Sequence, residues 1–479
     1  MDHQTYNILD KKLTAMCEAA HIPGMALMIA KAGKPIFAKT YGWRNVEEEL
    51  PVTSNTIFGA ASLTKSVTAL AIMLLEDMGK LSTDDSIKQW LPEFSLPDST
   101  YGVEHITIHH LLTHTSGLPG LPAVHAARLP SILRDPDGNR LFDEMPSNVT
   151  PITSVPELIN LIADLDFTML GAPGEMFNYS NEGYALLQEI TERASGESFI
   201  QFVDRYIFQP LDMHRSYFTE EDIEDKEDVT ELYAYENDHQ SFFHSPAWWD
   251  VGAIYSNGSL KTCASDLMTY LEVYRQGGTV FNTRIISEKA IKKMTTSHVT
   301  TPNGSQYGYG LQVDAMDNQK FVGHGGSIKG VSSNMQWAID DDLTGIVLIN
   351  IADADAAGIL KTTMKHLIRS DEEAPTETAF SGVGKHKEGA HTIKGTPVMM
   401  DKQLARFTGV YRSGEGQNAE VLLRHGALLL RRNGNDTTLY PCDENQFLTS
   451  DNNRITFLSD SDGCITGIFI GMRHIQKIK

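Results

Sequence analysis

The residue types best suited to nucleophilic chemistry stand together in Ala60-Ala-Ser-Leu-Thr-Lys-Ser66, where Ser62 is followed three places later by Lys65. No other serine in the chain has a lysine at that spacing. A serine hydroxyl is a poor nucleophile until a base takes its proton. A lysine serves as that base only where burial or neighbouring positive charge lowers its pKa. The residues that follow offer burial. Val67, Leu70, Ala71, Leu74, Leu75 and Met78 recur at helical spacing, and Gly79 is a natural C′ residue. Residues three apart share a helix face, so the spacing predicts a helix that carries Ser62 and Lys65 from a cleft into a core. Taken alone, the pair reads better as an N-cap serine and a solvated lysine. The chemical reading therefore depends on the rest of the chain.

Two further polar stretches join it: Pro173-Gly-Glu-Met-Phe-Asn-Tyr-Ser-Asn-Glu-Gly-Tyr184 and Phe321-Val-Gly-His-Gly-Gly-Ser327. In the first, a Pro-Gly turn leads into a helix starting near Asn181, with Tyr184, Leu187, Ile190 and Thr191 on its inner side. That places Tyr179 on a constrained loop at a helix N-terminus. Tyr-x-Asn recurs at Tyr235-Glu-Asn237 and Tyr255-Ser-Asn257, but neither follows such a turn; the latter reads as a tight turn before a helix near Ser265. In the second stretch, Gly325 and Gly326 would let a substrate backbone approach an exposed strand edge.

The elements that position these groups follow from pattern. Leu9, Leu13, Met16, Cys17 and Ala20 share a face of an opening helix; Met25 to Lys31 and Pro35 to Tyr41 read as a hairpin, and Trp43 to Thr53 as a loop. From Asp84 to about Tyr274 the pattern is mainly helical, except that Leu118 to Pro151 is proline-rich with little periodicity and reads as a lid or substrate loop. Tyr307 to Asn350 reads as strands and Ala354 to Ile368 as a closing helix. Residues 370–396 are polar and read as a linker. Phe407 to Ile478 alternates in short segments with regular turns, the signature of a small all-β barrel or sandwich.

The chain has 479 residues, 41% hydrophobic and 21% charged, with a net charge of −22. That balance argues against a nucleic-acid or anionic-membrane surface. Cys17, Cys263, Cys442 and Cys464 show no metal or redox spacing, and Cys442 and Cys464 read as two buried thiols. His109, His110 and His114 cluster without acidic partners at ligand spacing, so no metal is expected. There is no Gly-x-Ser-x-Gly elbow and no Walker A loop. The N-terminus has neither basic nor apolar leader character, and no run approaches about 18 apolar residues. The expectation is a cytoplasmic protein, or a secreted one had a signal peptide been removed.

Ser62-Leu-Thr-Lys65, Tyr179-Ser-Asn181 and His324-Gly-Gly326, in this order, resemble the motifs of the serine β-lactamase and penicillin-binding-protein superfamily. The likeness is nearest to its class C β-lactamase, D-Ala-D-Ala carboxypeptidase and esterase branch, the CubicO-like peptidases. Leu111-Leu-Thr-His-Thr-Ser-Gly-Leu-Pro119 is also typical of that branch. His324 stands where β-lactamases carry lysine, which is similar to the peptidase and esterase members. The resemblance covers about residues 5–369 and implies an α/β (α+β) fold, an antiparallel sheet flanked by helices with a mainly helical subdomain. Residues 397–479 then form a lipocalin-like barrel domain and 1–369 the hydrolase domain. It implies a cofactor-free serine hydrolase in which Ser62 attacks a carbonyl, Lys65 accepts or relays the proton, and Tyr179 acts as base or acid. Asn181 would bind the acyl-side carbonyl or orient Lys65, and His324 would shape the network around Tyr179. The backbone N–H groups of Ser62 and Ser327 would form the oxyanion hole beside Gly325 and Gly326. The implied partner is a small-molecule or short-peptide amide, a D-residue among the options, with an ester or acylation without turnover as alternatives. A homo-oligomer, or a wall over the cleft, is the expected role of the barrel.

Overall fold

The computed structural model describes residues 3–369 and 399–478 apart from 98–99, 142–149, 237–238, 253, 317–318, 417, 433 and 451–452. The expected linker at 370–396 lies outside the described residues. The frame is a nine-stranded antiparallel sheet in the order Val299–Thr300, Gln306–Tyr307, Gln312–Met316, Gln319–Ile328, Val331–Ala338, Leu343–Ile349, Gly24–Lys31, Lys34–Asn45, Leu50–Pro51. Its interior strand Leu343–Ile349 is buried at every position. The physical reason is that both faces are covered, which replaces alternation by a continuous apolar run. One face carries the terminal helices His3–Ala19 and Ala356–Arg369, packed through Leu9, Leu13, Ile359 and Leu360. The other face carries Thr64–Asp77, Ala264–Arg275 and the helical subdomain.

The Thr64–Asp77 helix is buried continuously from Thr64 to Leu75. It lies inside the molecule, so its polar Thr64, Ser66 and Thr68 must bond internally; Thr64 Oγ1 donates to Ala61 O at 2.6 Å and Thr68 Oγ1 to Ser256 O at 2.6 Å.

Two expectations are corrected. Lys34–Asn45 runs on through Trp43 as a strand because Trp43 and Asn45 pair with the edge strand Leu50–Pro51 across a bulge. The proline-rich stretch is also not a structureless loop: Ala123–Arg134 is a helix with Pro130 inside it. Proline lacks the N–H that would reach the carbonyl four residues back. Ala126 O accepts instead from Ile152 N at 3.2 Å, so the defect is repaired from outside the helix.

The C-terminal part is a closed eight-stranded antiparallel barrel, Gly409–Arg412 through Arg473–Lys477, in which Tyr411 pairs with Lys477. Phe407, Tyr411, Phe447, Phe457, Ile468 and Ile475 fill it. All four cysteines are free, and Cys464 is exposed while Cys442 is half-buried, which corrects the expectation of two buried thiols there. Cys464 follows the Asp460–Gly463 turn, where the backbone faces solvent. Among the described residues no helix is long and apolar enough to cross a membrane.

Candidate active site

Ser62 sits in a 3₁₀ turn, Ala61–Leu63, immediately before the buried helix. Ala61 holds φ at 48° in the left-handed region. That conformation disfavours a residue with a Cβ, and it persists here because its neighbours hold it. Ser333 Oγ donates to Ala60 O at 2.7 Å, and Leu260 N donates to Thr64 Oγ1 at 3.1 Å. The Gln319–Ile328 strand comes so close that a Cβ at Gly326 would lie 2.4 Å from Ala60 O and 2.9 Å from Ser62 N. Glycine is required at that approach. Ser327, the next residue on the strand, is exposed.

Lys65 is completely buried. Its Nζ donates to Asn181 Oδ1 at 2.7 Å and to the Asn257 carbonyl at 2.7 Å, and lies 3.4 Å from Ser62 Oγ. Burial, reinforced by the charges of Arg473 and Arg128, holds its pKa well below the usual lysine value. A neutral amine has two N–H groups and one lone pair. In that form the two carbonyl oxygens would take both N–H groups and leave the lone pair for Ser62.

Asn181 opens the Asn181–Ser195 helix, which Ser180 caps by accepting Gly183 N at 3.0 Å. Tyr179 is buried beneath that cap. Its hydroxyl is turned toward Ser62 but completes no hydrogen bond. Burial raises its pKa above the ordinary phenol value, against the opposing pull of Ser62 and the Arg473 cation. The phenol therefore keeps its proton near neutral pH.

His324 hydrogen-bonds with Tyr307 and packs against both Tyr307 and Tyr179, at ring-centroid distances of 6.0 and 6.1 Å. Its Nδ1 lies 2.6 Å from Gly325 O and its Nε2 3.0 Å from Tyr307 OH. On the far side of Tyr307, His114 Nε2 lies at 3.3 Å, while His114 Nδ1 accepts from Ser180 N at 3.0 Å. Only one set of tautomers satisfies all four contacts: His114 carries its proton on Nε2 and His324 on Nδ1, both rings neutral. Burial lowers both pKa values, that of His324 to about 3. The His114 ring packs 4.3 Å from the Tyr179 ring, so this relay reaches Tyr179 by packing.

The structure thus brings Ser62, Lys65, Tyr179, Asn181, His324, Gly325 and Gly326 to one cleft. Asn257, His114, Tyr307, Glu415 and Arg473 join them without having been singled out for it. Asn257 lies in the third Tyr-x-Asn, a 3₁₀ turn whose backbone carbonyl serves Lys65. His114 was visible only as part of a histidine cluster. Its neighbours there go elsewhere: His109 Nδ1 meets Tyr309 OH at 2.7 Å and His110 closes a capping box with Thr107. Among the described residues no group of His, Cys, Asp and Glu could hold a metal ion.

The barrel contributes directly. The Met472 carbonyl accepts from Tyr179 N at 2.9 Å, and His474 N donates to Asn178 Oδ1 at 2.9 Å. The Arg473 guanidinium lies 4.8 Å from the Tyr179 ring centroid and is ion-paired through its Nε with Glu415. Glu415 Oε1 is 3.5 Å from Asn181 Nδ2. No local pattern signals these residues, because they lie far along the chain from Ser62. Trp248 packs with Ala61 and Val331 and walls the cleft beside the serine turn.

The profile of the family described as Beta-lactamase matches residues 9–367. Among curated proteins, Penicillin-binding protein 4* of Bacillus subtilis (strain 168) is 26% identical over 88% of this chain and 86% of its own. Protein flp of Staphylococcus aureus (strain MW2) is 24% identical over 87% of this chain and 75% of its own. Among solved structures, the octameric penicillin-binding protein homologue from Pyrococcus abyssi superposes with a TM-score of 0.68 at 27% identity, over 98% of this chain and 99% of that one. A class C β-lactamase shares the fold with a TM-score of 0.60 at 19% identity, over 78% of this chain and 98% of that one.

Proposed function

Because the chain belongs to the Beta-lactamase family, we propose that it is a serine hydrolase that cleaves small amides through an acyl-enzyme on Ser62. One observation carries the reading: Lys65 Nζ has given both neutral-amine N–H groups to carbonyl acceptors and faces Ser62 Oγ at 3.4 Å. In acylation Ser62 Oγ bonds to the substrate carbonyl carbon while its proton passes to Lys65. The Ser62 and Ser327 N–H groups stabilise the oxyanion; loss of one such donor costs about 3–4 kcal/mol. When the C–N bond breaks, Tyr179 gives its proton to the leaving nitrogen and recovers one from Lys65. Water then enters by the same route in reverse. Asn181 both orients Lys65 and presents its amide to the acyl side.

Between the two roles open to Tyr179, its raised pKa favours the acid. An ester fits the same framework. The name of the Bacillus relative keeps a second outcome in view, acylation by a penicillin without turnover. Assembly into oligomers is proposed from the octameric homologue. Intact-mass spectrometry after exposure to a fluorophosphonate, and separately to penicillin, tests the nucleophile. Wild type should gain one adduct that Ser62→Ala does not; an adduct retained in Ser62→Ala would sink the assignment.

A further inference from the structure

Glu415 takes no part in the chemistry above, yet the barrel carries it to Asn181. The barrel turn at 413–416 presses on the segment that leads into the Ala123–Arg134 helix. Gly414 N donates to Gly120 O at 3.0 Å, and a Cβ at Gly414 would lie 2.4 Å from that oxygen. His125 Nε2 donates to the Glu415 carbonyl. With its backbone held in this way, the Glu415 side chain is buried. Nε and Nη2 of Arg473 hold its carboxylate, and its Oε1 lies 3.5 Å from Asn181 Nδ2.

These contacts bear on which way round the Asn181 amide stands. A carboxylate only accepts hydrogen bonds, so the NH2 group must face Glu415, and the amide oxygen then faces Lys65 Nζ at 2.7 Å. Lys65 by itself does not enforce that choice. An ammonium would, because it only donates. A neutral amine can also accept, and a flipped Asn181 would donate its NH2 group to the Lys65 lone pair. That lone pair is the one Ser62 requires. With Glu415 in place, the flip would set two acceptor oxygens against each other at a buried position, with no proton between them.

We propose that Glu415 is a positioning residue for the Ser62 reaction: it fixes the Asn181 amide with its oxygen toward Lys65, which makes the barrel a working part of the active site. It acts through Asn181 and does not touch the reacting atoms. The proposal rests on Ser62 being the nucleophile and Lys65 its base.

The test follows labelling of the full-length chain by a fluorophosphonate, in which Ser62 Oγ bonds to phosphorus and fluoride leaves, across a range of pH. Glu415→Ala should lower the plateau of the rate profile roughly tenfold. Loss of the Glu415 charge alone would lower the Lys65 pKa further and move the acid-side limb to lower pH, leaving the plateau where it was. In an Asn181→Ala background the same change should alter the plateau by less than about twofold, because nothing is left to position. Thr456→Val removes a hydroxyl through which the barrel meets Pro302 O and Asn303 Oδ1, and it should label like wild type. Thermal melts report folding throughout. An undiminished plateau in folded Glu415→Ala would overturn the proposal, as would an equal loss in both backgrounds or the same loss in Thr456→Val. A wild type that gains no adduct on Ser62 would instead overturn the nucleophile assignment.

Discussion

Three lysines are buried among the described residues, Lys65, Lys261 and Lys329, and the surroundings of Lys65 and Lys329 differ in one partner. Lys65 Nζ reaches two carbonyl oxygens, of Asn181 and Asn257, and then Ser62 Oγ. Lys329 Nζ also reaches two carbonyl oxygens, of Ser245 and Ala247, and then Asp135 Oδ2 at 3.3 Å. Burial lowers both pKa values. At Lys329 the Asp135 charge opposes it, while at Lys65 the nearby Arg473 and Arg128 charges add to it. The carboxylate makes the difference. Lys329 ties the strand end after Ser327 to the Asp135 loop, which also receives Trp249 Nε1 at 2.7 Å. At Lys65, burial and the two arginines together hold the pKa well below the usual lysine value, which supports the role of base proposed for it.

The comparison breaks first at the serine helix. Lys65→Met should reduce Ser62 labelling and any turnover by roughly 10²–10⁴-fold, the usual worth of a positioned base; a change of only a few-fold would remove Lys65 from that role. Next, Asn181→Asp gives Lys65 a carboxylate and makes it resemble Lys329. The folded pKa of Lys65 rises, its neutral fraction falls, and the rising acid-side limb of the labelling profile should move to higher pH, with about tenfold slower reaction per unit moved at any pH below that limb. A pH profile identical to wild type would show that Lys65 reacts in another protonation state.

At the other lysine the expected effect is on stability. Lys329→Met leaves Asp135 buried and unpaired and should cost roughly 3–5 kcal/mol by denaturant melts. Adding Asp135→Asn should return part of it, while folded protein still labels at Ser62. A double variant no more stable than the single one would mean that the pair is not coupled.

The smallest effect concerns the neutral histidine relay. His324 has a folded pKa of about 3, below its unfolded value near 6.5. The unfolded chain therefore binds the proton first, and the stability linked to His324 is complete above pH 6.5 and lost as pH falls toward 3. His324→Asn should flatten the fall in denaturant midpoint between pH 6.5 and 4; an unaltered slope would place the acid sensitivity elsewhere.

Local periodicity made the serine helix, the sheet strands and the barrel segments legible, because each repeats an apolar spacing over many residues. It misread Ala123–Arg134, where Pro130 looks like a breaker until Ile152 supplies the bond that proline cannot. It also passed over Asn257, since a backbone carbonyl leaves no mark on residue type. His114 and Tyr307 lie almost two hundred residues apart and show their purpose only once bonded.

The sequence by itself determined that Ser62 and Lys65 share a helical turn, that a helix begins near Asn181 behind a Pro-Gly turn, and that Gly325 and Gly326 stand where a backbone can come close to their strand. Those are consequences of short-range geometry. Only the tertiary structure decided that among the described residues Lys65 forms no ion pair, and that Glu415 and Arg473 of the barrel lie against Asn181 and Tyr179. The protonation of a buried group is set by every charge and dipole around it, and those are assembled by packing from segments with no order along the chain.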